Sequence, residues 1–404
     1  MRNKRVQDKI LSLIFILVLF NTVFARKISF FNYFDEVITI ISLMYLIYNY
    51  KSIIRCKRYF NIIKCVITII ILGLIGNMIF CFHSSLIGVF KDILAFCKLP
   101  ITCISLSYWT KHTNLNSAHK KVIELSKFFC IIIFIFCFIS IFFDIGMSYE
   151  PRYGIRTYMF LFTHPTFLVY CMVIISCVIF SEKDYKVNDK FFWVYQGMCI
   201  FVLLFTFRDK AFAYIILLFF ISYLLISNKK MNLKYFLLAC CSAFIVSLKK
   251  ILQYKSFSWS PRGAMYSDGF RLMLKHFPFG TGFCTFNSHL SGEYYSKLYY
   301  DVGFDLKPGV NPKDYVDIGD AQWPYYYVQF GVFGFIIFIY ILLEVFRDLR
   351  HRYSKFTYSL NATYLLFGYM IISSLVESTF INESGATFLL VLYIYLGHNR
   401  KNNM

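Results

Sequence analysis

Long apolar runs separated by short polar clusters repeat along nearly the whole chain. Each run is about 17–25 residues long, which is what an α-helix needs to cross the hydrocarbon of a bilayer. The pattern predicts spans over 10–25, 34–50, 61–82, 86–109, 128–147, 158–180, 191–207, 211–227, 234–249, 324–346, 357–377 and 383–397. The expected fold is an all-α integral membrane protein of about twelve transmembrane helices, forming one polytopic domain over 1–404. The basic N-terminus followed by an apolar run has the outline of a signal peptide. Arg26 and Lys27 follow at once and more spans come after, so an uncleaved first helix is expected. One interval breaks the rhythm: 249–323 is long and polar, and reads as a large loop outside the membrane containing short helices.

Composition agrees with this reading. Of 404 residues, 58% are hydrophobic and 21% aromatic, and the mean hydropathy is +0.58, values outside the range of soluble domains. The net charge of +20 does not point to nucleic acid, because Lys and Arg are dispersed in short clusters between apolar runs. Those clusters alternate between rich and poor, and the positive-inside rule then places both termini in the cytoplasm. The interval 249–323 falls outside, together with Arg152, Arg156, Arg208, Lys210, Glu377 and Glu383. The thirteen cysteines form no CxxC pair and mostly lie inside apolar runs, so neither a metal site nor a disulfide framework is expected.

Three stretches could carry chemistry. In FTFRDKAF, Arg208, Asp209 and Lys210 interrupt two apolar runs with almost no loop between them. Charges at that depth either serve a function or snorkel to phosphate head groups at the interface. Arginine also suits an anionic phosphate, since its planar fork donates paired hydrogen bonds and stays charged. In SPRGAMYSDGFRLMLKHF, Ser260 and Pro261 read as the start of a helix. Helical periodicity puts Arg262 with Tyr266 and Gly269 on the protein-facing side, where a guanidinium needs an anion. Arg271 falls on the polar face with Asp268 three residues before it, as a solvated charge.

His276 precedes a turn whose Pro278, Gly280 and Gly282 would let backbone approach a ligand. It reads equally as a histidine at a helix C-terminus, answering the dipole. Asp320, just before the next apolar helix, is either a cap or a base able to take a proton from a sugar hydroxyl. The third stretch, YEPRYGIRTYMFLFTHP, adds Arg152, Arg156 and His164. There Pro165 is expected to kink a helix, with His164 bonding a freed carbonyl.

The order and spacing of these elements resemble the Wzy-type O-antigen and capsule polymerases and their O-antigen ligase relatives. The carrying residues are Thr206-Phe207-Arg208, then Arg262 through His276-Phe277-Pro278-Phe279-Gly280-Thr281-Gly282 to Phe286, then Gly331-Val332-Phe333-Gly334, with Arg152-Tyr153-Gly154 and His164-Pro165 upstream. The similarity covers about 150–340; the N-terminal third matches only in hydropathy. Asp320 stands eleven residues before Gly331, where the family, ligases especially, often has His.

The resemblance implies a glycosyltransferase of the bacterial cytoplasmic membrane. It would take an undecaprenyl-diphosphate-linked oligosaccharide as donor, without nucleotide, metal or other cofactor. Arg208 and Arg262 would neutralise the leaving diphosphate, supported by Arg156, and Asp320 or His276 would orient or deprotonate the acceptor hydroxyl. Arg152, Lys210, Arg271 and His164 would help bind substrate. The implied partners are the lipid bilayer, and a chain-length regulator and flippase of the same pathway. Two alternatives are a lipid-linked oligosaccharide flippase, kept open by Lys91, Asp92 and Lys98 inside an apolar run, and a ligase.

Overall fold

The computed structural model describes residues 2–152, 154–185, 191–226, 260–353 and 357–397. The expected span 234–249 and the first part of the expected loop, 249–259, lie outside the described residues. Every other expected span falls on helix over most of its length. The first six helices are α1 (Arg2–Ala25), α2 (Phe34–Tyr48), α3 (Tyr50–Arg55), α4 (Lys57–Phe80), α5 (Leu86–Lys111) and α6 (Asn116–Phe142). After a β-hairpin come α7 (Pro165–Phe180), α8 (Phe192–Phe205) and α9 (Asp209–Ile226). The polar interval holds α10 (Pro261–Lys275), α11 (His289–Glu293) and α12 (Leu298–Asp301). The chain then returns through α13 (Gln322–Gln329), α14 (Gly331–His351), α15 (Tyr358–Ser373) and α16 (Glu383–Leu390), which continues as π-helix through Val391–Tyr395.

Among the described residues, five helical segments are long and apolar enough to cross a membrane: Val6–Ala25, Ser29–Tyr48, Lys57–Phe80, Asn116–Phe142 and Pro165–Asp184. The protein is thus a largely helical membrane protein. Helix α5 is held in the middle, packing on α2, α4 and α16. Its charges survive burial because each has a partner. The Lys98 ammonium meets Asp35 at 2.7 Å and Glu36 at 2.5 Å, and the fully buried Asp92 accepts the Cys284 N–H at 2.7 Å.

The structure corrects three expectations. The fold is not purely α, because β1 (Ser148–Arg152) and β2 (Ile155–Tyr158) pair antiparallel, with Ser148 opposite Tyr158. The span expected over 158–180 begins only at Pro165, because His164 is the N-cap and its Nδ1 accepts the Thr166 N–H at 3.3 Å. Pro165 therefore starts a helix, where its missing N–H costs nothing, and kinks none. The span expected over 324–346 is two helices that break between Phe330 and Gly331.

That break receives the turn after α10. Gly331 has φ +67°, and a Cβ there would collide with the Pro278 carbonyl oxygen. Thr281 and Gly282 donate to the Val328 and Gln329 carbonyls, both at 2.9 Å. On the other side the turn enters α4, where a Cβ at Gly76 would lie 2.7 Å from Gly280 O and Gly282 N. Asn77 clasps Phe283 from both sides, accepting its N–H at 2.8 Å and donating to its carbonyl at 2.9 Å. The glycines thus bring backbone against helices α4 and α14, not against a ligand as expected. The rest of the interval has its own core around Met265, Leu272, Phe286, Tyr299 and Phe304.

Candidate functional site

The site is assembled where the starts of α7, α9 and α10 meet the turn that follows α15. Its first layer is the junction of α8 and α9. Phe207 takes φ +48° there, a left-handed conformation that bulky residues avoid unless the surroundings impose it. Its carbonyl accepts from Arg152 Nη1 at 3.3 Å, so the hairpin is tied to the turn carrying Arg208. The Arg208 guanidinium lies 5.8 Å from the Tyr149 ring centroid, within cation–π range. Tyr149 in turn stands edge-on to His164, with centroids 4.9 Å apart.

Arg152 and Arg208 are close enough to repel each other electrostatically. Neither makes a salt bridge among the described residues, and the buried Nε of Arg208 has no acceptor there. His164, which precedes α7, reports the same field. Burial, with Arg208, Lys210 and Arg152 nearby, pushes its pKa down to about 4. At neutral pH it is an uncharged cap beside three cations.

Lys210 occupies the next position inward. It is buried, forms an ion pair with Glu377, and lies 4.1 Å from the Tyr170 ring centroid. Ser373 donates to the same Glu377 oxygen at 2.8 Å. Lys210 also feels the charges of Arg208 and Arg262, and so links the hairpin side of the site to the side built by the polar interval.

On that second side Ser260 caps α10 and Pro261 occupies its first turn, as expected. Met265, Gly269 and Leu272 face the core, and Tyr266 donates to the Leu375 carbonyl at 2.9 Å. Arg262 Nη2 reaches Asp320 Oδ2 at 2.6 Å. The two residues expected to act separately, one on a diphosphate and one on a hydroxyl, are thus partners. Asp320 does not cap α13, whose N-cap is Ala321. Asp317 sits beside the pair, and burial together with the Asp320 charge raises its pKa. The turn after α15 closes the site, with Ser378 donating to the Gly319 carbonyl and Phe380 N donating to Gln322 Oε1 at 2.8 Å.

Three expected residues do not converge here. Arg156 pairs with Asp144 at 2.8 Å on the surface, both side chains being more than half exposed, so it does not support Arg208 or Arg262. Arg271 pairs with Asp268 at 2.5 Å and is solvated, in line with its place on the polar face. His276 is at the far end of α10 from Arg262, about 21 Å away at a helical rise of ~1.5 Å per residue. Its ring packs edge-on against Phe80 and Phe82, and its Nδ1 lies 3.0 Å from the Leu272 carbonyl. It closes a helix and anchors it on α4.

Glu377, Tyr149 and Tyr170 belong to the site although no local motif marks them. Glu377 is 167 residues from Lys210 in sequence, so only the fold could pair them. The one available signal was an acid at the end of an apolar run on the side that carries Arg208 and Lys210. A comparison of the chain with known protein families finds no match, and neither does a comparison with curated proteins.

Proposed function

We propose that this protein is a membrane-embedded polysaccharide polymerase. It transfers a glycan from an undecaprenyl-diphosphate carrier to a hydroxyl on the terminal sugar of another lipid-linked repeat unit. In this reading the chain crosses the bacterial cytoplasmic membrane about twelve times, with both termini cytoplasmic and the site on the outer face. A chain-length regulator and a flippase of the same pathway are its natural partners.

The observation that carries the reading is the pair Arg152 and Arg208, two adjacent guanidiniums without a carboxylate partner among the described residues. The two side chains are partly buried and repel each other, the charges of Asp209 and Glu150 offsetting part of that repulsion, and an anion between them would relieve the rest. A diphosphate supplies several acceptor oxygens in the geometry a guanidinium fork fits. In the transfer, the bond between the sugar C1 and the diphosphate oxygen breaks while the acceptor oxygen bonds to C1. Arg208 and Arg152 stabilise the charge that gathers on the leaving diphosphate, an effect worth several kcal/mol in a site shielded from water. Asp320, positioned by its 2.6 Å contact with Arg262, accepts the hydrogen bond and then the proton of the attacking hydroxyl.

The transporter alternative needs unpaired charges lining a path through the helices. Lys98 and Asp92 are instead committed to structural partners, and Lys91 faces Tyr294 and Glu293 near the polar interval. The test is complementation of a null strain. Arg208→Ala should insert at wild-type level, seen by immunoblot of membranes, yet make no polymer beyond one repeat. Long polymer from that variant would overturn the reading, as would accumulation of the single repeat on the inner leaflet in the null strain, which indicates a flippase.

A further inference from the structure

Helix α10 buries one apolar face and has a second to spare. Met265, Gly269 and Leu272 share the inner face. Phe270 and Leu274, with Phe277 just past the end of the helix, follow the i, i+4, i+7 spacing of another stripe. These three are 54%, 58% and 60% exposed. Arg271 and Lys275 occupy the next arc and are exposed as well. Asp268 pairs with Arg271 at 2.5 Å, so this arc stays net positive through Lys275. The helix thus has three sides: one against protein, one apolar and uncovered, one cationic and uncovered. A single exposed aromatic is ordinary, but a stripe in helical register calls for something to cover it.

The neighbours of α10 fix the height of this stripe. His276, which closes the helix, packs edge-on against Phe80, the last residue of α4. Helix α4 is long and apolar enough to cross a membrane, and Met78 and Ile79 near that end are exposed. The ring of Phe277 lies 6.1 Å, centroid to centroid, from that of Phe333 in the first turn of α14. Phe333 and Ile336 carry the exposed apolar surface onward along α14. Further back along α10, Tyr266 donates to the Leu375 carbonyl in the turn after α15. The helix therefore lies across the ends of α4, α14 and α15, at the height where α4 leaves the hydrocarbon.

This continuity selects the occupant. The bilayer that covers the outward side of α14 reaches the stripe on α10 without a break, whereas a protein partner would first have to displace it. Cations flanking an apolar stripe also suit phosphate head groups, since their stems lie along the apolar boundary while the charge reaches upward.

We propose that α10 is an interfacial helix seated on the leaflet at that end of α4, with Phe270, Leu274 and Phe277 in the acyl boundary and Arg271 and Lys275 among the lipid phosphates. The bilayer then joins the protein contacts that hold Arg262, at the start of the same helix, at the membrane edge. Membrane residence alone is required for this, not the polymerase reading.

The test uses wild-type, full-length protein in nanodiscs of phosphatidylglycerol and phosphatidylethanolamine, part of the lipid carrying a trifluoromethylphenyl diazirine in its acyl chain. After irradiation, peptide mass spectrometry locates the lipid adducts, and those on α4 show that the probe reacts. Adducts at Phe270, Leu274 and Phe277 should exceed those at Asp268 and Lys275 by about fivefold or more. An unlabelled α10 beside a labelled α4 overturns the interfacial helix, as does equal labelling all round it. Two copies per disc by mass photometry, with the stripe unlabelled, would assign this face to a second copy and overturn it too. Long polymer from Arg208→Ala would discard the polymerase and leave the lipid contact standing.

Discussion

Arg262 and Arg208 are the same residue type at the edge of the same site, and their surroundings give them different work. Arg262 already has the Asp320 carboxylate at 2.6 Å, whereas the buried Nε of Arg208 has no acceptor among the described residues. In the proposed reaction a diphosphate would meet Arg208 and Arg152 first and would have to compete with Asp320 for Arg262. The pairing also tests Asp320. Asparagine can still accept a hydrogen bond from Arg262, but it cannot take a proton. Asp320→Asn should therefore lower polymerisation by about 10²-fold or more if the carboxylate handles the acceptor proton. Retained long polymer on a glycan gel would instead mean that Asp320 only positions Arg262. Periodicity put Arg262 on the protein-facing side and Arg271 on the solvated one, and both placements hold. The partner of Arg262 was not legible, because Asp320 is 58 residues away in sequence and the distance between them is set by the packing of α10 on α13.

The polar interval works as an element because it is pinned at two places. One pin is the glycine turn, lodged between α4 and the break at Gly331. The other is His276 at the end of α10, whose ring stands edge-on to the stacked pair Phe80 and Phe82. Burial lowers the His276 pKa below its ordinary value. A histidine with a depressed folded-state pKa contributes stability that is fully present above its unfolded pKa, about 6.5, and is lost as pH falls through the lower folded value. Hydrogen exchange over α10 should therefore speed up as pH drops below about 6.5, after correction for intrinsic exchange. His276→Gln should flatten that dependence without abolishing polymer. An unchanged pH profile in the variant would remove His276 as the source. The turn was recognisable in the sequence by its Pro and Gly residues. Its docking target was not, since Gly73, Gly76 and Asn77 lie about two hundred residues earlier in an apolar run that looks like any other span.

At the scale of the whole molecule, alternating helix direction sorts the charges to two ends. The polar interval packs against the end of α4, the start of α5 and the start of α14. At the opposite ends of the same helices, Asp348 is 3% exposed and meets Ser107 at 2.5 Å, Arg58 and Lys111 at 3.1 Å, and Arg352 at 3.5 Å. This cluster ties α4, α5 and α14 together. Asp348→Ala would leave several cations facing one another without their carboxylate. Removing one partner of a buried ion pair costs about 3–5 kcal/mol, and the partial exposure of Lys111 puts this case near ~3 kcal/mol. Thermal unfolding in nanodiscs should show a clear fall in midpoint, with Asp348→Asn intermediate; a midpoint equal to wild type would mean that the cluster holds nothing.

Membrane residence, the helical segments and the polar interval as a separate unit were determined by the sequence alone, because hydropathy and helical period are local properties that survive any packing. The same is true of the cap at Ser260 and the two faces of α10. The break at Gly331 required the fold, because steric contact with the turn after α10 overrides an apolar run there, and the strand pairing of Ser148 with Tyr158 is not marked by any alternation in the sequence; the start of α7 at Pro165 is set locally by the His164 cap. Tertiary structure alone decided which charges neutralise each other and which do not. Lys210 finds Glu377 and Arg262 finds Asp320, whereas Arg152 and Arg208 lie near each other without a salt bridge among the described residues, because ion pairing depends on distance in space and these groups are brought together by elements far apart in the chain.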